Sequence, residues 1–130
     1  MSFEPLPREI EALARQTVDA AFRDHSALGA GLLESVYEVC LAHELTKRGL
    51  HVQRQLDLPV IYDNVRLEVG LRLDLLVNQL LIVELKAVEQ FRPVHQAQLV
   101  TYLKLTGRRL GLLINFNVPL IKDGIKRVIL

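Results

Sequence analysis

A chain of 130 residues fits one domain around one core; half of its residues are hydrophobic, most of them aliphatic, and Trp is absent. That composition excludes disorder and suits helices packed on a sheet. Sixteen basic against fifteen acidic residues leave a formal charge of +1, so bulk attraction to nucleic acid is excluded and only a local basic patch stays open.

Cys40 is the single cysteine, which excludes an internal disulfide and a Cys-rich zinc site. On the apolar stretch VYEVCLAHEL it reads as a small buried thiol. The N-terminal MSFEPLPREIEALARQ lacks the apolar run of a signal peptide, and no stretch approaches a membrane span. The expected setting is soluble and cytoplasmic.

In chain order, Pro5 and Pro7 punctuate a short N-terminal arm over residues 1–8. From Arg8 to about Asp24, Ile10, Leu13, Ala14, Val18, Ala21 and Phe22 recur on one helical face. SALGAG breaks that helix, and a second runs from about Leu32 to Arg48, where Gly49 stops it. The period then changes to extended chain through HVQRQ, LPVIY, VRLEV, LRLDLLV and LLIVELKAV. Asp63-Asn64 and Asn78-Gln79 read as turns, and Gly70 as a bulge or close backbone approach. Pro93 opens a third helix, VHQAQLVTYLKLT, that ends at Gly107. A strand at 110–116 follows, then a Lys-Asp-Gly turn and a last apolar strand. The order predicts an α+β arrangement: one mixed sheet, with a parallel crossover through the third helix and helices covering it. No linker or repeat divides residues 1–130, which read as one domain.

The stretch RLDLLVNQLLIVELKAVEQ puts Asp74, Glu84 and Lys86 into two otherwise buried strands. A buried charge costs several kcal/mol unless it is paired or bound to a metal. Glu84 and Lys86 share a strand face because they are two apart. Asp74 joins them only if the turn has an odd length or a bulge: three residues at 78–80 put Asp74 opposite Glu84, whereas two put it opposite Val83. If they converge, the carboxylates repel unless a divalent cation lies between them. Oxygen ligands with open positions suit Mg²⁺ or Mn²⁺, and the Leu85 carbonyl is a candidate third ligand. Lys86 would then steady or deprotonate an attacking water. The plainer alternative is an Asp74–Lys86 ion pair at a sheet end with Glu84 facing solvent.

The spacing Asp-x9-Glu-x-Lys resembles the core signature of the PD-(D/E)XK nuclease superfamily. GLLESVY at 31–37 matches Gly-x-x-Glu-x-x-Tyr, and Gln98-Leu-Val-Thr-Tyr102 resembles the extra motif of RecB-like nucleases. Together they resemble the small bacterial GxxExxY family within that superfamily, from about residue 9 to the C-terminus. Leu73 stands where the superfamily's proline would be. The resemblance implies a restriction-endonuclease-like core and metal-dependent hydrolysis of a nucleic acid phosphodiester, with DNA the expected partner. Carried onto this chain, Asp74, Glu84, Lys86, Glu34 and Gln98 become the catalytic set, with Asp74, Glu84 and Leu85 on the metal. Tyr102, His95 and Tyr37 are candidate substrate contacts, although Tyr37 also reads as core packing and His95 as an exposed helix residue. Glu34 has a second reading as an acid favoured at a helix N-terminus. His25, His43 and His51 read as structural. Lys47-Arg48, Arg108-Arg109 and Lys126-Arg127 form a nucleic-acid track only if the fold gathers them near the acids. A non-catalytic nucleic-acid-binding or assembly module on the same fold is the alternative function. One site per chain makes a homodimer plausible for cutting a duplex.

Overall fold

The computed structural model describes residues 4–130; the first three residues of the expected arm lie outside them. Helix α1 spans Arg8–Leu28 and α2 Glu34–Lys47. Strands β1 (Val52–Tyr62), β2 (Val65–Val77) and β3 (Leu81–Lys86) follow, then α3 (Pro93–Thr106), β4 (Leu110–Asn115) and β5 (Ile125–Ile129). The sheet has five strands in chain order, and only the β3–β4 pair, joined through α3, is parallel. This is the mixed α+β sheet the sequence predicts.

Alternation along the central strands sorts the two cores. Leu81, Val83 and Leu85 of β3 face the cluster that α1 and α2 cover, with Leu41, Leu45, Leu112 and Ile114. Ile82 faces the other way, onto Leu99 and Leu103 of α3 and Leu113 of β4. Glu84 and Lys86 continue the Ile82 face, so the fold directs both toward α3. That helix sits close because β4 carries Gly111, where an added Cβ would fall 2.7 Å from Leu99 Cδ1. Both faces of β3 and β4 are covered, which explains their near-continuous apolar runs.

Four boundaries differ from expectation. HVQRQ and LPVIY are one strand, as are VRLEV and LRLDLLV, because Pro59 and Gly70 are accommodated without ending β1 or β2. The register shifts between Pro59 and Val60, and a Cβ on Gly70 would meet Val60 Cγ2 at 2.6 Å, so this is both a bulge and a close approach. The turn at Asp63 and Asn64 has φ of 54° and 59°, the left-handed pair that a two-residue hairpin requires. Helix α1 continues past Asp24 to Leu28, since Asp24 and His25 are themselves buried and His25 Nε2 hydrogen-bonds the Val118 carbonyl at 2.8 Å. Helix α2 starts at Glu34, not Leu32. Cys40 is half-exposed, not buried. Among the described residues no helix is long and apolar enough to cross a membrane.

Asp24 is a buried acid that is only partly satisfied. Its Oδ2 is buried without a hydrogen-bond partner. Burial first, then the nearby Glu44 carboxylate, push its pKa up to about 6, against the pull of Arg48 and Arg23. A raised acid favours the fold below its unfolded pKa and loses that contribution as pH rises through the folded one. Asp24→Asn is therefore expected to stabilise the protein at pH 7.5 by about 1 kcal/mol, after discounting for solvent screening, or roughly 3 °C in Tm. The gain should shrink as pH falls below 6, which thermal melts of both proteins at several pH values will check.

Candidate active site

The site forms where β2 and β3 part. Val77 pairs with Leu81, leaving residues 78–80 as a three-residue turn. Asn78 and Gln79 have φ of 50° and 62°, and the Leu80 N–H donates to the Val77 carbonyl at 3.0 Å. The ladder runs through Leu76–Ile82 and Leu75–Val83, so its continuation sets Asp74 opposite Glu84. The odd-length turn that convergence requires is thus present.

Beyond Leu75–Val83 the carboxylates replace the ladder. The Asp74 N–H donates to Glu84 Oε1 at 3.1 Å, and the Leu85 N–H donates to Asp74 Oδ2 at 2.9 Å. A strand residue's N–H and C=O point to the same side, so the Leu85 carbonyl faces the same opening. Glu84 is 4% exposed. Burial first, then Asp74, push its pKa up to about 9, and Lys86 acts in the opposite direction. Alone, this pair holds a proton near neutral pH. A hard divalent cation fits the same place, because two carboxylate groups and a carbonyl are oxygen donors that otherwise repel. Among the described residues no three His, Cys, Asp or Glu side chains gather as metal ligands, so the carboxylate donors form a pair and Glu34 stands outside it.

Glu34 occupies the first turn of α2 and is exposed. Partial burial, then Asp74, hold its carboxyl above the ordinary range, while Lys86 lowers it; the side chain therefore feels both charges. Its helix start is fixed by Tyr37. That ring is fully buried and stacks on Phe116 with centroids 4.6 Å apart. Its hydroxyl donates to the Gly29 carbonyl at 2.7 Å and accepts the Leu32 N–H at 3.1 Å. Tyr37 is thus withdrawn from substrate contact and braces the loop whose Gly31 has φ 94°. In Gly-x-x-Glu-x-x-Tyr, the outer residues shape the loop that presents the glutamate.

From the other side, Gln98 Nε2 donates to the Tyr102 hydroxyl at 3.0 Å across one helical turn. Burial, then Glu84 and Asp74, raise the Tyr102 phenol, which places it in the field of the acidic pair. Lys86, His95 and Gln98 line one cleft of about 540 Å³ with Val94, Ala97 and Thr101. His95 Nδ1 accepts the Arg92 N–H at 3.0 Å and so caps α3; burial, then Lys86 and Arg92, lower its pKa. Among the described residues Lys86 forms no ion pair, so the simple Asp74–Lys86 bridge does not exist, nor does Glu84 face solvent.

The basic pairs are not gathered here. Arg48 binds Asp19 and Glu44, Arg127 binds Glu11, and Arg109 binds the carbonyls of Glu4 and Leu130. Arg108 binds Gln79 at the opposite end of β3.

Four neighbours escaped the sequence reading. Glu38, one turn after Glu34, is 6% exposed and accepts from Arg54 Nη2 at 3.1 Å and from Gln55 Nε2. The Glu34–Glu38 spacing was a visible signal; Arg54 and Gln55, inside an unremarkable strand pattern, gave none. Asn115, opposite Lys86 on β4, is 2% exposed. Its side chain exchanges hydrogen bonds with the Val88 backbone at 3.1 and 2.8 Å, which fixes the loop leaving Lys86.

A profile of the PD-(D/E)XK nuclease superfamily matches residues 11–128 of the chain. Comparison with curated proteins and with solved structures gives no match.

The proton on Glu84 yields a stability test. Its folded pKa of about 9 lies above the ordinary 4.5, so its contribution to stability is complete below 4.5 and lost as pH rises through 9. In EDTA, Tm is expected to fall between pH 6.5 and 9 by about 3 °C per pH unit. Glu84→Gln should flatten that slope. Asp24 adds little there because it is ionised in both states above its folded value of about 6.

Proposed function

From the premise that the chain belongs to the PD-(D/E)XK nuclease superfamily, we propose that it is a divalent-metal-dependent nuclease that hydrolyses nucleic acid phosphodiester bonds, with DNA as the substrate. The observation that carries this reading is the meeting of Asp74 and Glu84 where β2 and β3 part, with Lys86 unpaired on the same strand face. Members of the superfamily generally use divalent metals, and the GLLESVY motif supports placing the chain in its GxxExxY group.

Asp74, Glu84 and the Leu85 carbonyl would hold Mg²⁺ or Mn²⁺. Bound there, the cation would supply Lewis-acid charge beside the scissile phosphate. Lys86 takes or steadies the proton of the attacking water and offsets charge that develops on the phosphate. Glu34 orients that water from the α2 side. Gln98, held by Tyr102, fixes Lys86 or a phosphate oxygen across the cleft, and His95 borders the same cleft. Tyr102 is available to the nucleic acid backbone. One site serves one strand at a time, so a homodimer would suit duplex cleavage.

Cleavage of labelled single-stranded and duplex DNA, with RNA in parallel, in Mg²⁺, Mn²⁺ or EDTA tests the reading. Cutting should require metal. Asp74→Ala and Lys86→Ala should each lower the rate at least 10²-fold, with Tm within about 3 °C of the parent. Full activity in Lys86→Ala would sink the mechanism. Binding that is equal in EDTA, with no cutting of any substrate, would make the domain a non-catalytic nucleic-acid module.

A further inference from the structure

Strand β1 pairs with β2 through Arg54–Leu75 and Leu56–Leu73. Gln55 falls between these pairs, directly opposite Asp74, and there the ladder is interrupted. The φ of Gln55 is 48°, a left-handed conformation rare for a side chain of this kind. No turn requires it, because Val52, Gln53 and Arg54 pair on one side, and Leu56, Asp57 and Leu58 on the other.

The conformation has a consequence for direction. Neighbouring residues of a regular strand project to opposite faces. Here Arg54 and Gln55, one after the other, reach the same target: Arg54 Nη2 lies 3.1 Å from Glu38 Oε2, and Gln55 Nε2 donates to Glu38 Oε1. The same Gln55 amide nitrogen lies 3.4 Å from Asp74 Oδ1. One amide group therefore bridges the buried acid of α2 and the first acid of the site. Unusual backbone held in place by its surroundings concentrates at functional sites.

We propose that Gln55 is a positioning residue for this site. Its left-handed backbone turns two consecutive side chains onto Glu38, which locks α2 to the sheet with Glu34 above the acidic pair, and its amide sets the orientation of the Asp74 carboxylate. The inference rests on the nuclease reading for its catalytic consequence, but it also predicts stability and cation binding.

Three variants separate the roles of backbone and side chain. Gln55→Ala loses the clamp and keeps the unfavourable φ; Gln55→Gly loses the clamp and relieves the φ; Gln55→Glu keeps length and loses the donor. In EDTA, Gln55→Gly should melt within about 3 °C of the parent and several degrees above Gln55→Ala. All three should show less than half the parent's Mn²⁺-induced rise in Tm. On DNA, kcat should fall at least tenfold with little change in KM. Parent-like kcat and Mn²⁺ response in Gln55→Gly would overturn the inference and leave the nuclease reading intact. A parent that cuts nothing but gains Tm with Mn²⁺ would remove the nuclease reading, and the Mn²⁺ response of the variants would still decide the role of Gln55. A parent that neither cuts nor responds to Mn²⁺ would overturn both.

Discussion

The three residues between Val77 and Leu81 determine what kind of surface the hairpin presents. Side chains of a strand alternate, so a turn one residue shorter would carry Glu84 and Lys86 to the face opposite Asp74. The left-handed Asn78 and Gln79 fix the turn, and Asn78 also ties it to β1: its N–H donates to the His51 carbonyl at 2.8 Å, and its Oδ1 accepts the His51 N–H at 2.7 Å. The acidic pair is thus fixed from the far end of the hairpin by backbone geometry, not by attraction between groups that repel.

Around that pair, several interactions that would favour the fold are given up together. The β2–β3 ladder stops, a nearly inaccessible glutamate lies against an aspartate, and Gln55 holds a conformation its side chain disfavours. Each costs on the order of 1 kcal/mol or more, and each persists only because neighbours fix it. Elsewhere local preference and fold agree, as in the Leu-rich faces of β3 and β4. Asp24 is a single unsatisfied acid; at the pair three such conflicts coincide, and that clustering is what a place kept for something other than stability would show.

The sequence made the ends of α3, the two turns and the mixed sheet legible, because Pro93, Gly107, Asp63-Asn64 and Asn78-Gln79 act through local backbone chemistry. Register was legible only as a condition, an odd-length turn or a bulge if the three charges were to meet, and the Val77–Leu81 pairing meets it with the odd turn. Strand continuity across Pro59 and Gly70 was illegible, because both residues break strands in isolation and the bulge that tolerates them depends on both strands at once. Gln55 was illegible for a related reason: left-handed φ is expected of Gly or Asn, and a glutamine mid-strand carries no such sign. Tyr37 shows the opposite case. The motif was visible, but only the structure separates the residue that faces the site from the one that braces its loop.

Direction of chain explains why these parts coincide. The carboxyl end of β3, with Glu84 and Lys86, adjoins the N-terminal turn of α3, which brings His95 and Gln98. The N-terminal turn of α2 brings Glu34 to the same end. Both helices therefore begin at the end of the sheet that carries the acidic pair, so their positive dipole ends add to the field there. Arg48 and Arg108, near the helices' C-terminal ends, complement the negative poles instead. An anionic backbone drawn to this end would meet helix N-termini, Lys86 and Arg92, not the arginines already held in ion pairs elsewhere. A near-neutral net charge is therefore compatible with a nucleic-acid site, since what matters is the field at one end of the sheet, not the sum over the chain.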